Sequence, residues 1–206
     1  MLKWNMRSPE NDWHLVWLGA GANVAGKFGI PHETLETALN RLQHHLSLRV
    51  LKGSSFWESP ALTTEGIDYS KPPYLNAVWL IETKLSPEEL LRELKQLEKE
   101  SGREPRKKWE SRPLDLDILF YDQLVIKSDV LTIPHPELHR REFVLRPLLE
   151  VGNPIHPIFN SKCSDLLKIL ESDSTLSSEN GKEQKSNSTK LTAKKLSLRY
   201  SPSSES

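Results

Sequence analysis

Two aspartates two residues apart, Asp115 and Asp117, stand behind a run of cations: Arg103, Arg106, Lys107, Lys108 and Arg112. They lie in Pro113-Leu114-Asp115-Leu116-Asp117-Ile118-Leu119-Phe120, whose alternation of apolar and acidic residues reads as a strand. Side chains alternate faces along a strand, so both carboxylates project one way, roughly 7 Å apart, and Leu114, Leu116 and Ile118 the other. Paired carboxylates are a natural seat for a hard divalent cation. Cations arriving just ahead of them suit polyphosphate oxygens that the same metal bridges. The expectation is magnesium-dependent chemistry on a nucleotide.

The elements around this stretch must position it. His14 to Leu18 reads as a short apolar strand running into a small-residue turn, Gly19 to Asn23, where backbone approaches closely. A helix follows from Pro31, with Leu35, Ala38, Leu39, Leu42 and Leu46 at helical spacing. Val50 to Trp57 reads as a second strand, 59–73 as a long loop, and Tyr74 to Thr83 as a central third strand. Ser86-Pro87-Glu88-Glu89 has the form of a capped helix start, and Leu90, Leu91, Leu94 and Leu97 supply its apolar face. After the aspartate strand, Gln123 to Ile126 reads as a hairpin strand, and Phe143 to Val151 and Ser164 to Leu170 as closing helices. Strand–helix–strand twice over about 120 residues predicts a ferredoxin-like duplicated βαβ fold. The fold class is α+β, an antiparallel sheet flanked by helices, with an added C-terminal hairpin and helices.

The chain has 206 residues, enough for one ordinary domain and a tail. Lysine plus arginine and aspartate plus glutamate number 28 each, so no global charge favours nucleic acid or membrane, and the binding charge must be local. The single Cys163 excludes an internal disulfide framework. The polar N-terminus, residues 1–12, reads as flexible and lacks a signal-peptide core, and no apolar run approaches the roughly 20 residues that span a bilayer. A cytoplasmic protein is expected. Residues 13–170 form the expected domain. From 171 to 206 the composition turns serine-rich, with eleven serines and few large apolar residues, which reads as a disordered tail with a basic stretch, Lys190 to Arg199.

Several blocks in order resemble the 6-hydroxymethyl-7,8-dihydropterin pyrophosphokinase family. They are Leu18 to Asn23, Ser54-Ser55-Phe56, Ser59-Pro60, Tyr74-Leu75-Asn76-Ala77, Trp109 with Arg112-x-x-Asp115-Leu116-Asp117, Pro134-His135, and Arg141-x-Phe143-x-Leu145. The match spans about residues 14–170. It implies transfer of pyrophosphate from ATP to the hydroxymethyl group of the pterin, with release of AMP, in folate biosynthesis. It also implies two magnesium ions on Asp115 and Asp117, either of which is placed to accept the hydroxyl proton. Arg103 and Arg112 match the family's catalytic phosphate-gripping positions, and Glu98, Arg106, Lys108, His135 and Arg141 its other ATP-side positions. Ser59, Leu62, Tyr74, Asn76, Trp109 and Phe143 match its pterin side. Tyr74 and Phe143 would sandwich the ring, and Asn76 would offer it a donor and an acceptor.

Two departures mark the basic loop. Arg103-Glu104-Pro105-Arg106 is one residue shorter before Trp109 than the family form, which aligns the second loop arginine with Arg106 and leaves Lys107 or Lys108 to share its work. Glu110 stands where glycine or alanine is usual. The length suggests a monofunctional enzyme acting on ATP and a pterin, with no nucleic-acid or membrane partner; protein partners are not legible. The competing readings are a non-catalytic ferredoxin-like module that binds a nucleotide or RNA, and a family member whose altered loop has lost activity.

Overall fold

In the computed structural model, residues 12–63, 66–103, 112–179 and 193–199 are described. The chain opens with β1 (His14–Ala22), α1 (Pro31–Gln43), β2 (Leu48–Gly53) and β3 (Ser55–Ser59). A small hairpin, β4 (Ala61–Thr63) and β5 (Gly66–Asp68), leads to β6 (Tyr74–Thr83), α2 (Pro87–Glu100) and β7 (Asp115–Tyr121). The hairpin β8 (Ile126–Lys127) and β9 (Thr132–Ile133) follows, then a 3-10 turn at Leu138–Arg140 and α3 (Glu142–Val151). The chain continues through β10 (Ile155–His156), β11 (Ser161–Lys162), α4 (Cys163–Glu179) and β12 (Lys194–Arg199).

The main sheet runs β12-β3-β6-β1-β7, with β2 also on β6, and its pairings are antiparallel. Its two faces are covered unequally. On one face Val16, Leu18, Ala20, Trp79, Ile81, Leu116 and Ile118 meet Leu35, Leu39, Leu42, Leu90 and Leu94 from α1 and α2 in one continuous core. On the other, Trp17, Val78, Leu80, Leu119 and Phe120 meet Leu145, Leu148, Leu166 and Leu167 of α3 and α4. That second cover stops short of the β7 aspartates, which leaves part of the sheet open as a cleft.

Local chemistry explains the helix starts. Ser86 Oγ accepts from Glu89 N while Glu89 returns its carboxylate to Ser86 N at 2.8 Å, satisfying donors that a helix start otherwise orphans. At α1 the Glu33 carboxylate serves Ile30 N, and Pro31 occupies the first turn.

Six expectations differ from the observed elements. Gly19 to Ala22 are not a turn but the second half of β1, because neighbours on both sides supply a full hydrogen-bonding ladder that small residues do not resist. The run Val50 to Trp57 divides at Ser54, with β2 and β3 both pairing with β6. Leu46 lies beyond the end of α1 and is exposed. The 59–73 loop contains β4 and β5, and the later hairpin pairs 126–127 with 132–133 rather than Gln123 to Ile126. Within the tail read as disordered, α4 extends to Glu179 and β12 pairs with β3, since the edge of β3 offers a strand a row of backbone partners and Leu196 an apolar contact. The other tail residues and residues 1–11 lie outside the described ones.

Candidate active site

The register of three strands lays out the open face. Gly21 of β1 pairs with Asn76 of β6 on one side and with Asp115 of β7 on the other. Gly19 likewise pairs with Val78 and with Asp117. Residues directly opposite share a face, so two polar side chains flank a residue that has none. Neighbouring strands lie about 4.8 Å apart, which puts the Asn76 and Asp115 backbones about 10 Å apart across Gly21. A Cβ on Gly21 would sit 3.6 Å from Asn76 Oδ1 and 3.9 Å from Tyr74 Cδ1, ordinary contacts for folding but inside the cleft.

The cleft has a volume of about 690 Å³. It brings together Arg103, Arg112, Asp115, Asp117, His135 and Arg141 with Ser59, Tyr74, Asn76 and Phe143. Glu98 lies behind this lining. Leu62 belongs to β4, but its side chain, like all of Arg106, Lys108 and Trp109, lies outside the described residues. The same is true of Lys107, Glu110 and Ser111, so both loop departures fall there.

Asp115 is held by two guanidiniums, with Arg103 Nη1 at 2.8 Å from Oδ1 and Arg112 Nη1 at 2.8 Å from Oδ2. Burial alone would raise its pKa, but Arg112, Arg103 and Lys95 keep the carboxyl below the ordinary aspartate value. Asp117 is more open, and its nearest cationic candidate is His135, Nε2 to Oδ2 at 3.8 Å. Burial lowers the His135 pKa, with Asp117 opposing and Arg141 assisting, which favours the neutral ring. Its Nδ1 accepts from Glu137 N, an assignment that leaves the proton on Nε2, facing Asp117. His135 is carried there by the sheet. One extra residue of β7, Leu119, interrupts the ladder with β1, and the Leu119 carbonyl accepts from His135 N at 3.1 Å.

Arg103 has a deeper anchor. Glu98, 2% exposed, pairs with Arg103, accepts from Lys95 Nζ at 2.7 Å, and accepts from Leu116 N at 2.7 Å. Burial pushes its carboxyl up, while Lys95, the Leu116 amide and Arg103 pull against that. One carboxylate thus joins the end of α2, the first residue after it with a guanidinium, and the strand bearing both aspartates.

Asn23 does the equivalent for Arg112. Its backbone N donates to Arg112 O, its Oδ1 accepts from Arg112 N at 2.8 Å, and its Nδ2 donates to Pro72 O. Gly26 lets this loop press against the α2 end, because a Cβ there would fall 2.4 Å from Ser101 O. Sequence reasoning assigned no role to Asn23 or Lys95. An asparagine directly after the small-residue run Gly19 to Ala22 was the available signal for the first, and i,i+3 spacing to Glu98 for the second.

On the other side of Gly21, Asn76 Nδ2 lies within hydrogen-bonding reach of Ser59 Oγ (3.0 Å), Trp57 O (3.2 Å) and Tyr74 O (3.3 Å). The protein therefore takes the donor, and the acceptor oxygen, beside Gly21, is what Asn76 presents to the cleft. This narrows the expectation of both a donor and an acceptor. Burial raises the Tyr74 hydroxyl pKa, with Arg112 and Asp115 acting on it in opposite senses.

The family model for 7,8-dihydro-6-hydroxymethylpterin-pyrophosphokinase matches residues 17–153. A Haemophilus influenzae protein named 2-amino-4-hydroxy-6-hydroxymethyldihydropteridine pyrophosphokinase is 39% identical over 140 residues, covering 68% of this chain and 82% of that protein. An Aquifex aeolicus protein of the same name is 38% identical over 162 residues, covering 78% and 92%. Among solved structures, wild-type Plasmodium falciparum HPPK-DHPS superposes with a TM-score of 0.61 at 16% identity, over 84% of this chain. That alignment spans only 43% of the larger chain, and it speaks to the fold alone.

Proposed function

Because the chain belongs to the 7,8-dihydro-6-hydroxymethylpterin pyrophosphokinase family, we propose that its cleft divides between a pterin half around Asn76 and a phosphate half around Asp115. The reaction is transfer of a pyrophosphoryl group from ATP to the hydroxymethyl group of hydroxymethyldihydropterin, in folate synthesis. The observation that carries the division is the row Asn76–Gly21–Asp115, an acceptor and a carboxylate on one face with a gap between.

In the pterin half, the ring lies over Gly21 with Tyr74 and Phe143 as stacking partners, and the Asn76 oxygen takes a hydrogen bond from its edge. The family resemblance assigns Ser59, Leu62 and Trp109 to this half as well. In the phosphate half, Arg103, Arg112 and Arg141 hold polyphosphate oxygens, with His135 donating through Nε2, and the family resemblance adds Arg106, Lys108 and Glu98. Arg103 and Arg112 pass from Asp115 to the phosphates as ATP enters, and that exchange frees both Asp115 oxygens.

The carboxylate pair suits magnesium. Both are hard oxygen donors on one face, and among the described residues no third histidine, cysteine, aspartate or glutamate forms a metal cluster with them. Magnesium is commonly held by one or two carboxylates, with phosphate oxygens and water completing its shell. Asp115 and Asp117 would hold two ions, whose chemistry is to neutralise the polyphosphate and polarise the attacking hydroxyl. The chain's own residues align the hydroxymethyl oxygen with the β-phosphorus and hold the triphosphate; the β-phosphorus bond to AMP breaks as the new oxygen bond forms.

The strand order β3-β6-β1-β7, with α1 and α2 on one face, reads as ferredoxin-like. Residues 13–170 would be the catalytic domain. A cytoplasmic location agrees with the observation that, among the described residues, no helix is long and apolar enough to cross a membrane. Small-molecule substrates are the proposed partners, without nucleic acid.

The test is AMP formation from ATP and magnesium with and without the reduced pterin. Pterin-dependent AMP is expected; its absence overturns the enzyme reading, and ATP binding without turnover favours an inactive family member. Gly21→Ala sharpens the geometry. The substitution is expected to leave the melting temperature unchanged and to raise the pterin KM about tenfold, as one misplaced methyl group in a fitted site costs about 1–3 kcal/mol. Unchanged pterin KM in a folded Gly21→Ala protein removes the ring from the floor of the cleft.

A further inference from the structure

Beyond the family match at 17–153, the chain places β12 against the outer edge of β3. We propose that this C-terminal strand is part of the acceptor pocket, holding β3 and α3, its two walls, in register through Lys195 and Glu150. The proposal rests on the reading of this cleft as a pterin site.

β3 is held on both edges. Trp57 pairs with Asn76 on β6 and with Lys195 on β12, and Glu58 with Leu75 and with Lys194. Glu150, in the last turn of α3, joins the layers. Its Oε2 accepts from Ser55 N at 2.8 Å, its Oε1 from Trp57 Nε1 at 3.0 Å, and Lys195 Nζ stands 2.8 Å from the same oxygen. Arg146 of α3 and Lys195 of β12 each lie 5.9 Å from the centroid of the Trp57 ring. Ala193 is buried and Leu196 packs on the main core, so the strand is seated by apolar contact as well as by its ladder.

Both walls reach the pocket. α3 carries Phe143 in its first turn, and β3 ends at Ser59. The Asn76 amide reaches the Trp57 carbonyl and the Ser59 hydroxyl, so a shift of β3 rotates the acceptor that Asn76 offers to the ring. The Lys195–Glu150 pair is partly exposed, and its Coulombic worth is small. Its effect lies in fixing a carboxylate that three donors share across three elements. In the phosphate half, Arg103 and Arg112 are anchored by Glu98 and Asn23 instead.

Four proteins test this: the full chain, the chain ending at residue 189, and full-length Lys195→Glu and Lys195→Arg. The readouts are the KM for reduced pterin, the KM for ATP, and hydrogen exchange over residues 55–59. Truncation is expected to raise the pterin KM about five- to tenfold, the loss from one displaced hydrogen bond, with the ATP KM little changed. Lys195→Glu should move the same way, Lys195→Arg should not, and a peptide of residues 190–200 added to the truncated chain should restore the pterin KM. Unchanged KM values on truncation overturn the proposal, as does an equal rise in both, which would mark a purely structural strand. If the full chain shows no pterin-dependent AMP, the reading of the cleft fails first. Exchange over 55–59 then still decides whether β12 is seated: slow exchange that quickens on truncation supports the pairing, and no change overturns it.

Discussion

Asp117→Asn is expected to lower kcat by about 10²–10³-fold, the range for removing one preorganised charge-stabilising group from an active site, while the protein stays folded. The asparagine keeps the shape and removes the charge. Its neighbourhood tolerates this: the Asp117 side chain is 38% exposed, faces glycine across the ladder, and has His135 at 3.8 Å. Asp115→Asn should differ. Asp115 neutralises two guanidiniums in a partly buried site, so its loss leaves Arg103 and Arg112 facing each other without a carboxylate between them. Activity and melting temperature should then fall together. Steady-state AMP formation with a magnesium titration, beside thermal melts of both variants, separates the two effects. Full activity in Asp117→Asn would sink its assignment as a metal ligand.

The second large effect is on stability. Glu98→Ala is expected to cost about 3–5 kcal/mol, because removing one member of a buried charged group strands its partners. Three partners lose this carboxylate: the buried Leu116 amide of β7, the Lys95 ammonium, which keeps Leu116 O, and Arg103, which keeps Asp115. The first is the most damaging, since a buried amide without an acceptor costs about 1–3 kcal/mol. Glu98→Gln keeps an oxygen for Leu116 and should recover much of the stability, while Arg103, held by Asp115 alone, loses its set position. Denaturant unfolding should therefore rank wild type above Gln above Ala, while the ATP KM rises in both variants and the pterin KM moves less. Wild-type stability in Glu98→Ala would show that the carboxylate is not the anchor it resembles.

How much of this was legible in the sequence depended on range. The α2 start was readable at Ser86-Pro87-Glu88-Glu89 because every hydrogen bond it uses closes within three residues. Strand β6 was readable over its full length because a central strand buries both faces and shows as an apolar run. Gly19 to Ala22 misled, since small residues carry no periodic signal and the strand there exists only by virtue of β6 and β7 beside it. The β12 segment misled for the same reason: a polar stretch of six residues becomes a strand when an edge is offered to it.

Taken alone, the sequence determined the chemistry on offer and the direction it faces. Alternation puts Asp115 and Asp117 on one face, and the ordered blocks identify the family, because side-chain type and period two are local properties of the chain. Only the tertiary structure decided what those carboxylates face. That Gly21 lies between Asp115 and Asn76, that Glu98 and Asn23 anchor the two arginines, and that the tail closes an edge of the sheet all depend on strand register and helix packing. Those contacts join residues tens of positions apart, and no local pattern encodes a partner at that distance. The carboxylate pair at 115 and 117 was visible from its own eight residues, Pro113 to Phe120; the floor, the anchors and the walls around it were not.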